Sequence, residues 1–353
     1  MTPPTTIDLL ADPIGSYPAA TVACFDPTSG DLPRRKLDVP RTKRFLEALA
    51  AAGAPAVLIA ASTGHGHVRT VAELEEWFRV AAEAKLGGTM LSALLRPEDG
   101  AAANARLVSL LAELKYPVIF IRPGTDLTKN ATGQLIAQNM QPLVKLAAAK
   151  GLAVGLYSIP DVSGVPMPPD AAAELVQEPE GKNIVAIKVT EADYDASTAR
   201  FLADKRLSHL KIVQGWDPHL VRALQDGPEH DDYQRQRCGV TSGPMSFAVY
   251  QYLHILTAAR RGDFAEAAAA QVAVTTIFES MQDDPKKFAD LQRAKFIMGL
   301  GQPLTGAVSE GQIERVFAAL EALPRPADKQ RLAKSLDLLR DGPFHQRLMA
   351  LQA

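Results

Sequence analysis

From residue 21 to residue 262 the chain alternates short, continuous apolar runs with longer stretches whose apolar residues recur at i, i+3 and i+4. The runs TVACF (21–25), AVLIA (56–60), TMLSALL (89–95) and PVIFI (117–121) predict strands. So do LAVGLYS (152–158), NIVAIK (183–188), HLKIVQ (209–214) and CGVTS (238–242). Helical patterns fill the gaps at 41–53, 70–87, 101–115, 135–151, 170–177, 196–205, 218–227 and 246–262, with glycine near several C-terminal ends. Eight strands interleaved with eight helices predict an α/β fold, a closed (β/α)8 TIM barrel over residues 21–262. An open doubly wound sheet is the competing arrangement, because periodicity does not show closure.

Outside that span the pattern changes. Residues 1–20 form an N-terminal segment, and residues 263–353 are helical throughout, at 264–282, 286–301, 310–323 and 328–352. They predict a C-terminal helical appendage packed on the barrel. The polar stretch DGPEHDDYQRQR (226–237) joins the seventh helix to the eighth strand and is read as a solvated loop on the N-terminal face, with an oligomer contact as the alternative.

Composition narrows the class. A length of 353 residues with 47% hydrophobic and 22% charged side chains is that of an ordinary globular chain. A formal charge of −2 leaves no basic stripe for nucleic acid. No stretch approaches the roughly 18–20 apolar residues of a membrane span, and the first residues lack the basic and apolar regions of a secretory signal, so a cytoplasmic location is expected. The two cysteines, Cys24 and Cys238, make no metal-binding spacing; they are expected as reduced, buried thiols near one another on the adjacent strands one and eight.

In such a barrel the chemistry lies at the C-terminal ends of the strands. Lys188 ends the sixth run and Tyr157 the fifth, so an amine and a phenol are expected side by side. Burial in a barrel mouth disfavours an ammonium, and a neutral amine is the nucleophile that a ketone needs. The phenol can then carry protons to and from the carbinolamine. Taken singly, a surface lysine and a packing tyrosine are the commoner roles. The turn ASTGHGH (61–67) after the second run offers Ser62 and Thr63 hydroxyls and, at Gly64, room for a ligand beside the backbone; free N–H groups at the following helix would suit a carboxylate. A plain helix cap is the alternative for this turn. His65 and His67 form an HxH pair, yet His209, His219, His230 and His254 do not fall at strand ends, so no metal site is expected. On the eighth run Val240 and Thr241 are candidate substrate contacts, and Gly239 and Gly243 permit close backbone approach.

Read in order, STG (62–64), YSIP (157–160), IKV (187–189), QGWD (214–217) and CGVTSG (238–243) resemble the dihydrodipicolinate synthase and N-acetylneuraminate lyase family over roughly residues 20–320. The resemblance implies a class I aldolase that forms a Schiff base with pyruvate or another 2-oxo acid and works with an aldehyde partner. It also implies a homo-oligomer, dimer or tetramer, with no cofactor beyond the covalent imine on Lys188. By matching position Lys188 is the imine-forming lysine, Tyr157 the proton carrier, and Ser62 and Thr63 the hydroxyl pair at the oxo-acid carboxylate.

Four positions depart from the family pattern. His65, kept as a candidate substrate contact, replaces a glutamate, Val162 an arginine, and RPGTD (122–126) a tyrosine-rich segment, which leaves Arg122 as a candidate anion contact. Trp216 stands where relatives carry a small or polar residue; it is read as packing under the helical tail or as an apolar wall for a bulky aldehyde. Dihydrodipicolinate synthesis is therefore not the expected reaction. A keto-deoxy sugar acid dehydratase on the same scaffold and a catalytically degenerate sensor or assembly barrel are the competing readings, with a metal hydrolase behind both.

Overall fold

A computed structural model describes residues 2–30, 36–227, 236–282, 291–303 and 307–352 of the chain. All eight apolar runs are strands: β1 (Ala20–Ala23), β2 (Ala56–Ile59), β3 (Met90–Leu95), β4 (Val118–Ile121), β5 (Ala153–Ser158), β6 (Ile184–Val189), β7 (Lys211–Gln214) and β8 (Cys238–Ser242). Each pairs in parallel with its neighbours in sequence, and β1 pairs with both β2 and β8, so the barrel is closed. Leu91 apart, every strand residue is buried. One face of each strand lines the interior and the other lies under helices, which is why the runs are continuous rather than alternating.

Two apolar clusters result. One lies between sheet and helices. The other fills the barrel with Leu58, Met90, Leu94, Phe120, Val185 and Val213. Phe120 fits because β5 carries a glycine opposite it: a Cβ on Gly155 would lie 2.3 Å from the Phe120 ring.

The first twenty residues do more than lead into β1. They hold α1 (Thr6–Ala11) and the single turn α2 (Pro13–Ser16). A capping box opens α1, in which the Thr5 hydroxyl accepts from the Asp8 N–H and the Asp8 carboxylate accepts from the Thr5 N–H. Leu9 and Tyr17 join the interior cluster. The Thr6 hydroxyl donates to the Pro117 carbonyl at 2.9 Å, and Lys211 Nζ donates to the Ile14 carbonyl at 3.3 Å. Both contacts are at the starts of strands, so the segment plugs the N-terminal end of the barrel.

The strands are followed in turn by α3 (Val39–Ala51), α4 (Val71–Ala82), α5 (Ala101–Glu113), α6 (Gly133–Ala149), α7 (Pro169–Gln177), α8 (Thr198–Ala203), α9 (Leu220–Asp226) and α10 (Met245–Arg260). The C-terminal helices are α11 (Phe264–Ser280), α12 (Leu291–Ile297), α13 (Glu310–Glu321), α14 (Pro326–Leu336) and α15 (His345–Ala350). The start of the predicted helix 286–301, through residue 290, lies outside the described residues. The stretch 328–352 is two helices, because Gly342 and Pro343 interrupt the pattern. Against α10, the buried Gln251 amide donates to Asp328 at 2.8 Å while its carbonyl accepts from Arg331 Nε at 2.7 Å. Asp341 pairs with Arg41 and Arg44 of α3 at 2.6 and 2.7 Å. The last thirty residues are thus part of the outer shell.

One charged cluster binds tail to barrel. Asp26, just after β1, is fully buried, and its carboxylate is shared by Lys295 of α12 at 3.0 Å and the Arg69 guanidinium. Burial alone would raise the Asp26 pKa, but Lys295 and Arg69 outweigh it and hold the carboxyl below the usual range. Removing one partner of such a group strands buried charge. Asp26→Ala is expected to destabilise the fold by about 3–5 kcal/mol, read as a lower urea midpoint at unchanged m value; a loss under about 1 kcal/mol would show that the cluster behaves as a solvated pair.

One expectation is corrected by register, and another falls largely outside the described residues. Ala20 pairs with Val240, which puts Cys24 and Cys238 six strand positions apart, roughly 20 Å at about 3.3 Å per residue; both thiols are buried and free but are not neighbours. Most of the stretch 226–237 lies outside the described residues. Among the described residues, no helix is long and apolar enough to cross a membrane.

Candidate active site

The register between β5 and β6 pairs Tyr157 directly with Lys188. Because residues at the same level of adjacent parallel strands project to the same face, both side chains enter the barrel mouth together. Lys188 Nζ lies 4.2 Å from the centroid of the Tyr157 ring. The two residues are only 3% and 2% exposed, which decides their chemistry. Burial lowers the Lys188 pKa to about 7, with the nearby Asp217 carboxylate pulling the other way. Burial also raises the Tyr157 phenol well above its ordinary value, against a hydrogen bond from Thr190. The Thr190 hydroxyl donates to the Tyr157 oxygen at 3.2 Å.

Burial by itself does not distinguish Lys188. Lys211 is also buried, and its pKa is lowered to about 8. Its amine, however, is bonded to the Ile14 and Gln236 carbonyls at the closed end of the barrel. Lys188 instead faces a cavity of about 190 Å³ at the open end. An apolar cavity of roughly 150 Å³ takes a molecule the size of benzene, so a small oxo acid has room.

Ser62, Thr63, Trp216 and Thr241 line this cavity with Lys188 and Tyr157. The Ser62 hydroxyl is buried without a protein hydrogen-bond partner, whereas Thr241 meets the Tyr17 phenol and Thr63 donates to the Ala23 carbonyl at 3.2 Å. The other expected contacts are placed differently. Gly64 serves packing rather than ligand approach, since a Cβ there would lie 2.3 Å from the Cys24 carbonyl oxygen and 2.8 Å from Trp77. His65, in the left-handed region at φ 56°, is buried away from the cavity lining. Burial holds its imidazole neutral, with a pKa of about 4, against the pull of Asp26. Val240 packs in the outer apolar cluster, because strand alternation turns it away from the face that Thr241 occupies. Arg122 is buried and does not line the cavity; its terminal nitrogens donate to Glu98 and to the Pro123 carbonyl at 2.8 Å, while its Nε is buried without a partner.

Nor does the 61–67 turn open a helix. It forms two short 3-10 turns, Ser62–Gly64 and Gly66–Val68, and α4 begins beyond it with Thr70 and Glu73 in a capping box. Ser62 therefore offers its hydroxyl without a helix N-terminus behind it. Among the described residues, no group of three or more His, Cys, Asp or Glu is placed to hold a metal ion.

Several lining residues were not singled out from sequence. Asp217, in the quoted QGWD stretch, accepts hydrogen bonds from Ser242 at 2.5 Å and from the Tyr252 hydroxyl. The residue is partly exposed, yet its carboxyl is enclosed. That enclosure raises its pKa to about 7, with the Ser242 hydrogen bond and the Lys188 charge opposing. An acid at a strand end beside a candidate lysine was the available signal. Gly215 keeps space open beside the amine, because a Cβ there would lie 2.0 Å from Thr190 Oγ1 and 3.0 Å from Lys188 Cε. Phe278, Gln282 and Leu291 come from the C-terminal helices and the chain around them, and nothing local in the sequence announces that position.

The arrangement combines a poised amine, a protonated phenol and the unsatisfied Ser62 hydroxyl around a small cavity. Comparison with known proteins sets it in context. Residues 137–307, which include Tyr157 and Lys188, match the Dihydrodipicolinate synthetase family. The 4-hydroxy-tetrahydrodipicolinate synthase of Xanthomonas axonopodis pv. citri is 27% identical over 312 residues, 85% of this chain and 95% of the relative. The enzyme of the same name from Stenotrophomonas maltophilia is 28% identical over 197 residues, 54% of this chain, and there the match spans 61% of the relative's length. Among solved structures, YagE, a prophage protein of the dihydrodipicolinic acid synthase family from E. coli K12 in complex with pyruvate, shares the fold at a TM-score of 0.72 and 18% identity, covering 86% of this chain and 98% of that one. A variant of the Sulfolobus solfataricus 2-keto-3-deoxygluconate aldolase does so at 0.69 and 14%, covering 86% and 95%. The match to the Dihydrodipicolinate synthetase family thus covers residues 137–307, with Tyr157 and Lys188 inside it, and over most of its length the chain shares the fold of these solved structures.

Proposed function

We propose that this protein is a class I aldolase or lyase that activates pyruvate or another short 2-oxo acid as an imine on Lys188. The observation that carries the reading is the Tyr157 and Lys188 pair, paired in register, buried, and facing one cavity with the amine pKa lowered to about 7. The neutral amine attacks the keto carbon, and the Tyr157 phenol gives a proton to the oxygen as the carbinolamine forms. Loss of water leaves an iminium, and removal of a proton from the adjacent carbon gives an enamine. The enamine adds to an aldehyde, or the reverse sequence releases one. The iminium is itself the electron sink, so the proposed chemistry calls for no further cofactor. Ser62, whose hydroxyl has no protein partner, is the group we assign to the oxo-acid carboxylate.

The curated relatives are named as synthases of 4-hydroxy-tetrahydrodipicolinate. Our reading of this chain differs because of Val162. It stands in the single turn Pro160–Ser163 and packs, partly buried, against the barrel-interior cluster, where the resemblance leads one to expect a carboxylate-binding arginine. That favours another aldol reaction, or dehydration of a keto-deoxy sugar acid; products separate these, since only cleavage yields an aldehyde. Borohydride added with pyruvate should fix a reduced adduct on the peptide carrying Lys188. Absence of an adduct with pyruvate and with a panel of short 2-oxo acids would falsify the proposal.

A further inference from the structure

We infer that the aldehyde partner of this site is an uncharged one bearing a flat apolar group, with an aromatic aldehyde as the best match. The inference rests on the imine reading above and concerns the other half of the cavity. The inner end, around Lys188, Tyr157 and Ser62, is polar. The outer wall is built mostly from apolar side chains, Trp216, Pro218, Pro244, Phe278 and Leu291, with Gln282 beside them. Phe278 comes from α11 and Leu291 from the start of α12, which the buried contact between Lys295 and Asp26 ties to the barrel. The wall's aromatic and proline faces reward a substrate with apolar surface to bury, and with one amide, Gln282, among them they return little for the water stripped from a carboxylate or a chain of hydroxyls.

Charge points the same way. Asp161 and Asp217 also line the cavity, so an anionic aldehyde meets acidic side chains there and no cation other than the amine. Arg122, the cation that the sequence suggested for an anion, is held by Glu98. Among the described residues that line the cavity, Lys188 is the sole basic side chain, and the imine consumes it. Gly215 leaves the path from the amine to the wall open.

The test uses the full chain with pyruvate and three aldehydes: benzaldehyde, succinic semialdehyde and glyceraldehyde. Initial rates of carbon–carbon bond formation are followed by proton NMR, and borohydride trapping of the pyruvate imine is run in parallel. A kcat/KM for benzaldehyde at least about tenfold above both others is expected. Phe278→Ala should raise the KM for benzaldehyde about tenfold, and Phe278→Leu should recover most of it; pyruvate trapping reports that each variant is folded. If the imine forms but the carboxylate-bearing or hydroxylated aldehyde is preferred, or all three react alike, this inference is overturned and the imine reading stands. If no imine forms, both fall.

Discussion

Lys188→Met is expected to abolish turnover and borohydride trapping while making the protein more stable near neutral pH. The first half follows from chemistry: without the amine there is no nucleophile, and loss of a group on which the whole sequence depends lowers kcat by about 10⁴-fold or more. The second half follows from burial. Lys188 has a folded-state pKa lowered to about 7, against an unfolded value near 10.4. Between these two values the unfolded chain binds a proton that the folded chain does not. Folding stability therefore rises with pH across that window, and the cost of burying the lysine is fully present at pH 7 and below. Methionine has nearly the same reach and no charge. The gain at pH 7, already net of the favourable field of Asp217, is on the order of a few kcal/mol, and it should shrink to nothing by about pH 10.5. Urea unfolding of both proteins at pH 7 and pH 10 measures it. A variant that is less stable at pH 7 would show that the lysine is held by contacts stronger than its desolvation. The same pKa sets the acid limb of catalysis, so kcat/KM should fall about tenfold per unit below pH 7.

How much of this was legible in the sequence depends on the range of the interaction involved. The barrel was readable because eight fully buried strands write themselves as continuous apolar runs, and their ends locate the mouth. Tyr157 and Lys188 were readable as neighbours because consecutive βα units lie side by side. Val240 and Thr241 show the limit: a run buried on both faces carries no alternation, so which of the two faces the cavity is settled only by the register with β1. Arg122 shows another, since its partner Glu98 lies in a turn after the preceding strand and no spacing rule connects them. Asp217 stood in view in QGWD, but its importance comes from Ser242 and Tyr252 converging on it from β8 and α10. Phe278 and Leu291 reach the cavity through long-range packing of the tail. The N-terminal plug was within reach: Thr5 with Asp8, and Asp12 before Pro13, are helix-start signals.

Tyr157→Phe is expected to lower kcat by about 10²–10⁴-fold while leaving the pyruvate adduct obtainable at full yield, only more slowly. The substitution removes one oxygen and keeps the ring. Lys188 Nζ contacts the ring face, 4.2 Å from its centroid, so the amine keeps its place and its lowered pKa. Folding should change by no more than about 1 kcal/mol, because the lost hydroxyl had a single protein partner, the Thr190 hydroxyl at 3.2 Å. What disappears is a proton. With its pKa raised by burial, the phenol stays protonated across the working range, and because Thr190 donates to it, its own hydrogen is left to point into the cavity. That geometry suits donation to the carbinolamine oxygen, a step that phenylalanine cannot perform. KM for pyruvate should move little, since Ser62 and the cavity walls are untouched. Stopped-flow trapping separates the two effects, with a slowed rate constant and an unchanged amplitude. A kcat within about threefold of the parent would sink the assignment, because general acid catalysis by a positioned side chain is worth far more than that, and would move the proton transfer to Thr190 or to water.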